Sequence, residues 1–181
     1  MRRLFTLSGV VCLSLMLLPA CAPQPEQVAE LEAMKAQAEA EEQNKKIARE
    51  LFALIDAQDF DGLNGLFSDD FVLSIPGLDE SLQKDMLFQL IKTHYTAFPD
   101  WIHVIEDVIA DGNKVAVKLT QNGTHEAEYE GIPATGIKAT LPAMHLATIV
   151  DGKVKDWFVV EDYLGLYIQL GMELKPKEEE T

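Results

Sequence analysis

The reactive inventory of this 181-residue chain is four histidines, two cysteines and thirty carboxylic acids. Among the acids, Asp162 closes the run Val159-Val160-Glu161-Asp162, and a period-two reading places it on one strand face with Phe158 and Val160. A carboxyl on the apolar side of a sheet has its charged form disfavoured. Its pKa then rises toward the range where one group can both take and give a proton. Such a group can remove a proton from carbon beside a carbonyl and return one to the developing oxyanion. Asp162 can equally end its strand in water or cap the turn before Leu164. His125 follows a strand through Gly123-Thr124. A neutral imidazole there can donate to a carbonyl or orient Asp162, or it can bond the neighbouring loop. His145 sits mid-strand between Met144 and Leu146, as a polar handle or as a satisfied sheet histidine. His94 and His103 belong to no motif and are read as peripheral. Tyr129, Tyr163 and Tyr167 can hydrogen-bond a ligand oxygen or simply pack.

Other chemistries find no support. The spacings of the histidines match no compact metal-ligand set, so no metal is expected. With no phosphate-cradling glycine loop, GxSxG turn or catalytic cysteine pattern, no cofactor is expected either.

The elements that must position these residues follow from periodicity. Residues 1–20 carry Arg2 and Arg3, an apolar run from Leu4 to Leu18, and small residues before Cys21. That is a secretory signal, too short for a comfortable membrane span. Leu18-Pro19-Ala20-Cys21 looks like a bacterial lipobox, which makes Cys21 the lipidated first residue of the mature protein. Residues 21–46 are a tether and a charged helical spacer, since Glu26 to Asn44 is rich in good helix formers with only a thin apolar stripe. A compact domain is expected over 47–172. Ile47, Leu51, Phe52, Leu54 and Ile55 recur at helical spacing, Leu63 and Leu66 suggest a second short helix, and Leu82 to Phe98 a third. Phe71 to Ile75 is a weak strand. After Phe98 the period becomes two. Trp101–Ala110, Lys114–Thr120, Ala139–Val150 and Val154–Val160 read as strands, with hairpin turns at Asp111-Gly112-Asn113 and Asp151-Gly152. Residues 173–181 are expected to be an acidic disordered tail. Three helices before a meandering antiparallel sheet make an α+β fold.

The order of short motifs carries a resemblance. Phe98-Pro99-Asp100, Gly112-Asn113-Lys114-Val115, Gly123-Thr124-His125, Gly131-Ile132-Pro133-Ala134-Thr135-Gly136, Asp151-Gly152-Lys153-Val154 and Gln169-Leu170-Gly171 are similar in order and spacing to SnoaL-like proteins. These form the polyketide and ester cyclase branch of the nuclear-transport-factor-like superfamily. The resemblance implies a cone: a curved antiparallel sheet packed on three N-terminal helices and enclosing an apolar pocket. It implies a pocket acid seven residues before Gln-Leu-Gly, which is Asp162, as general acid/base, with His125 near the pocket rim. The family's frequent tryptophan four before the acid is Phe158 here, and Trp157 stands one place off. The ligand-contacting residues expected are His145, Phe158, Tyr163 and Trp101.

Charge narrows the partners. The chain has 30 acids and 15 bases, a net charge of −15, and residues 47–172 alone hold twenty acids and eight bases. A domain of −12 repels nucleic acid and disfavours anionic ligands. The expectation is a cell-envelope lipoprotein, facing the periplasm from the outer membrane in a Gram-negative host. It binds a small neutral or apolar molecule, with aspartate acid/base chemistry of the cyclase or isomerase kind, and homodimerises as relatives do. The alternative is a non-catalytic binding or assembly module of the envelope.

Overall fold

A computed structural model of the chain describes residues 24–175. The expected signal segment, Cys21 and the last six residues of the tail lie outside the described residues. Among the described residues, no helix is long and apolar enough to cross a membrane.

Helix α1 runs unbroken over Pro25–Asp56, starting with a proline in its first turn. The spacer and the first domain helix are therefore one continuous element. Its N-terminal part is exposed, and burial begins at Ile47 and continues through Ala48, Leu51, Phe52 and Ile55. The Pro25–Ala40 segment extends roughly 24 Å at about 1.5 Å per residue. The helix is tied down where the domain starts: Gly112 N–H donates to Glu41 at 3.0 Å, and the Asn44 amide donates to the Gly112 carbonyl at 2.9 Å. Helix α2 (Phe60–Leu66) is capped by the Asp59 carboxylate, which accepts from Gly62 N–H. It passes directly into strand β1 (Phe67–Ser74). Helix α3 (Lys84–Ala97) buries Leu87, Ile91 and Tyr95.

Four strands then meander: β2 (Ile102–Asp111), β3 (Lys114–Thr124), β4 (Lys138–Val150) and β5 (Lys153–Glu161). The sheet order is β1-β5-β4-β3-β2. The four later strands pair antiparallel, but β1 pairs parallel with β5, so the sheet is mixed rather than wholly antiparallel. The reason is topological: β1 returns to the sheet edge from a helix, not from a hairpin. A short helix α4 (Tyr163–Gln169) follows β5 and packs on β4.

The concave side of the sheet meets α1 and α3 in one core. Leu51, Phe52, Phe71, Phe98, Leu119 and Leu141 are almost wholly buried, each stabilising the fold by about 1.5–3 kcal/mol relative to exposure. Strand β3 alternates without interruption, burying Val115, Val117, Leu119 and Gln121.

Two strands do not alternate throughout, and this decides the site. On β5, Asp156 pairs with Thr148 and Val154 pairs with the next residue of β4, Ile149, which leaves Lys155 as an extra residue. On β2, Ile105 pairs with Leu119 and Asp107 with Lys118, leaving Glu106 extra. Each extra residue is a β-bulge, and a bulge reverses which residues face inward beyond it. On β5 the inward set changes from Val154 to Trp157, Val159 and Glu161.

Candidate functional site

The mouth of the cone opens into a cavity of about 100 Å³ between the sheet and α3. Its walls are mostly apolar: Ile55, Leu73, Leu87, Ile91 and Val159, with Trp101 and Trp157 among them. Its polar lining converges from four strands and two helices: His103 on β2, Gln121 on β3, His145 on β4, Glu161 on β5, Tyr163 on α4, and His94 and Tyr95 on α3.

The bulge at Lys155 corrects the expected site. Asp162, placed by simple alternation toward the apolar side, is exposed and caps α4, where its carboxylate accepts Gly165 N–H at 2.9 Å. Phe158, expected against the ligand, is 42% exposed on the opposite face of the sheet. Their inward counterparts are Glu161 and Trp157. The spacing signal was present all along, because a tryptophan four residues before an acid is met by Trp157 and Glu161 themselves.

His125 is fully buried but does not line the cavity. Its ring stacks on Phe98 at 5.0 Å, and Nδ1 meets the Thr135 hydroxyl at 3.1 Å. Its backbone N–H donates to Ile137 and its carbonyl accepts from Gly136. These contacts pin the loop between β3 and β4. His145, Tyr163 and Trp101 all line the cavity. His94 and His103, read as peripheral, line it too. For His103 the only signal was its position two residues from Trp101 on the same face of a strand.

The floor of the site is a chain of buried polar groups. Trp101 Nε1–H donates to Gln121 Oε1 at 3.0 Å, and Gln121 Nε2–H donates to Glu161 Oε1 at 2.7 Å. His145 Nε2 lies 3.2 Å from the same oxygen, and Tyr163 lines the cavity beside them. Burial pushes the Glu161 carboxyl up, but the donors of His145, Tyr163 and Gln121 outweigh it and hold the acid below the usual carboxylate range. Glu161 is therefore ionised at neutral pH. An ionised carboxylate only accepts, so His145 presents Nε2–H to it and its Nδ1 is a bare acceptor without a protein partner. Burial holds His145 below its ordinary value, against the opposing pull of Glu161. Burial also lowers His94 to about 4, so its ring is neutral at pH 7. It stacks on Phe98 and meets the edges of Trp101 and Tyr129. Tyr163 and Tyr129 are both raised, chiefly by burial, and remain hydroxyl donors.

Among the described residues, no three His, Cys, Asp or Glu side chains converge to hold a metal. Among the described residues, no lysine or arginine lines the cavity. The arrangement suits an uncharged ligand that fills apolar walls and trades hydrogen bonds with imidazole, amide and phenol groups.

Comparison with known proteins agrees with this architecture. A family model described as SnoaL-like polyketide cyclase matches residues 45–170. The aklanonic acid methyl ester cyclase DnrD of Streptomyces peucetius is 41% identical over 76 residues, 41% of this chain and 52% of that protein. The aklanonic acid methyl ester cyclase DauD of Streptomyces sp. (strain C5) is 44% identical over 61 residues, 34% of this chain and 38% of that protein. The matches thus span about half, or less, of the length of these curated relatives. Among solved structures, AclR of Streptomyces galilaeus superposes with a TM-score of 0.67 at 25% identity, covering 72% of this chain and 97% of that one. IdmH of Streptomyces antibioticus shares the fold with a TM-score of 0.66 at 22% identity, covering 71% and 99%.

Proposed function

The chain belongs to the SnoaL-like polyketide cyclase family, and from that premise we propose that its cone pocket binds a small neutral or apolar molecule and performs proton-transfer chemistry of the cyclase or isomerase kind. One observation carries the reading: an ionised Glu161, braced by His145 and Gln121, sits at the floor of a cavity with mostly apolar walls. A buried charge with this many donors is expensive to assemble for stability alone, since an apolar replacement is often as stable. Its place facing the cavity therefore speaks for a ligand whose polar atoms meet this cluster. The expected aspartate chemistry passes to the groups that line the cavity, because Asp162 does not reach it.

The test is mass spectrometry of organic extracts from the purified full-length chain and its Glu161→Gln variant. A compound that co-purifies with the first and is depleted in the second supports the reading. Equal amounts in both, or none in either, refute it.

The location proposed is the cell envelope, through lipid on Cys21. The support is the sequence Leu18-Pro19-Ala20-Cys21 and the exposed segment of α1, which would hold the domain off a membrane. Cys21→Ser should move the protein from the membrane to the soluble fraction; unchanged retention refutes the anchor. The non-catalytic alternative draws on a separate observation. The outer sheet face exposes Ile102, Val104, Met144, Leu146, Phe158 and Val160, and on adjacent strands Met144 pairs with Val160 and Leu146 with Phe158. A second copy of the chain is the occupant we propose for this face. Sedimentation at rising concentration should show a dimer that Phe158→Lys abolishes.

A further inference from the structure

A second carboxylate–imidazole pair reaches the pocket through His103, and its geometry differs from the first. Asp56 ends α1 and His103 begins the inward face of β2. His103 Nδ1 lies 2.5 Å from Asp56 Oδ1. The same carboxylate accepts the His103 backbone N–H at 3.2 Å and the Tyr95 hydroxyl at 3.2 Å. Tyr95 is raised well above an ordinary phenol, first by burial and then by the Asp56 charge, so it stays a donor. Asp56 is thus held from three directions, and it fixes both the ring plane and the tautomer of His103. With Nδ1–H spent on Asp56, the free lone pair is on Nε2.

Access separates this ring from the other three. The buried, partnerless ring nitrogens are His94 Nε2, His125 Nε2 and His145 Nδ1. His103 Nε2 also has no protein partner but is not among the sealed atoms, and its ring lines the cavity. Glu161 Oε1, by contrast, is occupied by donors from both His145 and Gln121. The two imidazoles flank one aromatic ring, with the Phe52 centroid 5.3 Å from His103 and 5.4 Å from His145.

We propose that His103 Nε2, aimed by Asp56, is the proton acceptor of this pocket, and that its substrates are neutral carbon acids. Glu161 and His145 then bind and orient the ligand. The proposal rests on the small-molecule reading above and deepens it. In the step, Nε2 takes a proton from a carbon activated by a neighbouring electron-withdrawing group. The C–H electron pair passes into the ligand, and the new imidazolium is neutralised by Asp56. Asp56 is a positioning residue, since it acts only through His103.

5-Nitrobenzisoxazole is a neutral planar probe of this step. Loss of its isoxazole C3–H proton to His103 sends the electron pair into a nitrile, breaks the N–O bond and leaves a coloured phenolate. Water then takes the proton from the imidazolium. The purified full-length chain should open the probe faster than buffer imidazole at equal concentration. His103→Gln should lower kcat by about 100-fold or more, the scale of a general base, while Asp162→Asn leaves it unchanged. Asp56→Asn should lower kcat more than it raises KM, and ¹⁵N spectra should show His103 losing its fixed tautomer.

Diethyl pyrocarbonate mapping of the unmutated chain covers the case of a variant that fails to fold. His103 should be carbethoxylated first among the four histidines and be protected by the probe. A His103→Gln protein with undiminished kcat, or a His103 that reacts last, overturns the proposal. Quenching of Trp101 and Trp157 fluorescence by the probe reads binding separately. Quenching without turnover overturns the assignment of His103 alone, whereas no quenching overturns the pocket reading as well.

Discussion

Replacing His94 with Phe tests the electrostatics of the cavity through stability alone. The ring stacks on Phe98 at 4.9 Å, lies edge-on to Trp101 and Tyr129, and buries Nε2 with no partner. Burial is the main reason it titrates near 4 rather than 6.5; His103 pushes the same way and Glu161 opposes. The folded pKa is below the unfolded one, so the unfolded chain binds more protons throughout that window. The contribution of His94 is therefore fully present above pH 6.5 and is lost as pH falls toward 4. At about 1.4 kcal/mol per tenfold, the loss is about 2 kcal/mol near pH ~5 and about 3 kcal/mol near pH ~4. The assay is urea unfolding of the wild type and His94→Phe at neutral pH and near pH ~5. Acid-sensitive carboxylates are shared by both proteins and cancel in the double difference. The variant should match or exceed the wild type at neutral pH, because Phe fills the aromatic nest and removes an unpartnered nitrogen. It should then lose about 2 kcal/mol less on acidification. Equal losses in the two proteins would refute the claim that His94 is buried neutral in this wall.

Asp162→Ala should cost about 1 kcal/mol, the scale of a helix N-cap, and leave ligand binding intact; urea titration and probe quenching read the two effects. Deleting Lys155 removes the bulge and turns Trp157 and Glu161 outward, so the chain should lose more than about 4 kcal/mol or fail to fold. A near-wild-type Tm would show that the bulge does not set the face. Gly123→Ala would drive a methyl into the Trp101 ring and against its Cα. It should cost about 1–3 kcal/mol by overpacking and disturb the Trp101–Gln121 bond, which tryptophan fluorescence reports.

Much of this protein is determined locally and can be read along the chain. Helical spacing from Ile47 to Ile55, the Asp-Gly turns and the alternation of Val115, Val117 and Leu119 specify their elements through short-range sterics and amphipathic burial. The ordered motifs from Phe98-Pro99-Asp100 to Gln169-Leu170-Gly171 were enough to recognise the family. The extent of α1 was less legible, since a solvated helix and a buried one share the same helix formers and differ only in what they touch.

The site depended on what no local pattern specifies. Alternation says that residues of β5 take turns facing inward, but the register against β4 decides which turn is whose. The extra residue at Lys155 moves the inward set by one, from Asp162 and Phe158 to Glu161 and Trp157. The bulge at Glu106 does the same on β2 beyond His103 and Ile105. Likewise, 47 positions separate Asp56 from His103, and only the packing of α1 against β2 brings the carboxylate to the ring. The residue types and the elements that carry them belong to the sequence. Which of them share a cavity is a long-range property, settled by strand register and helix packing, where one residue of slip exchanges the inside of the cone for its surface.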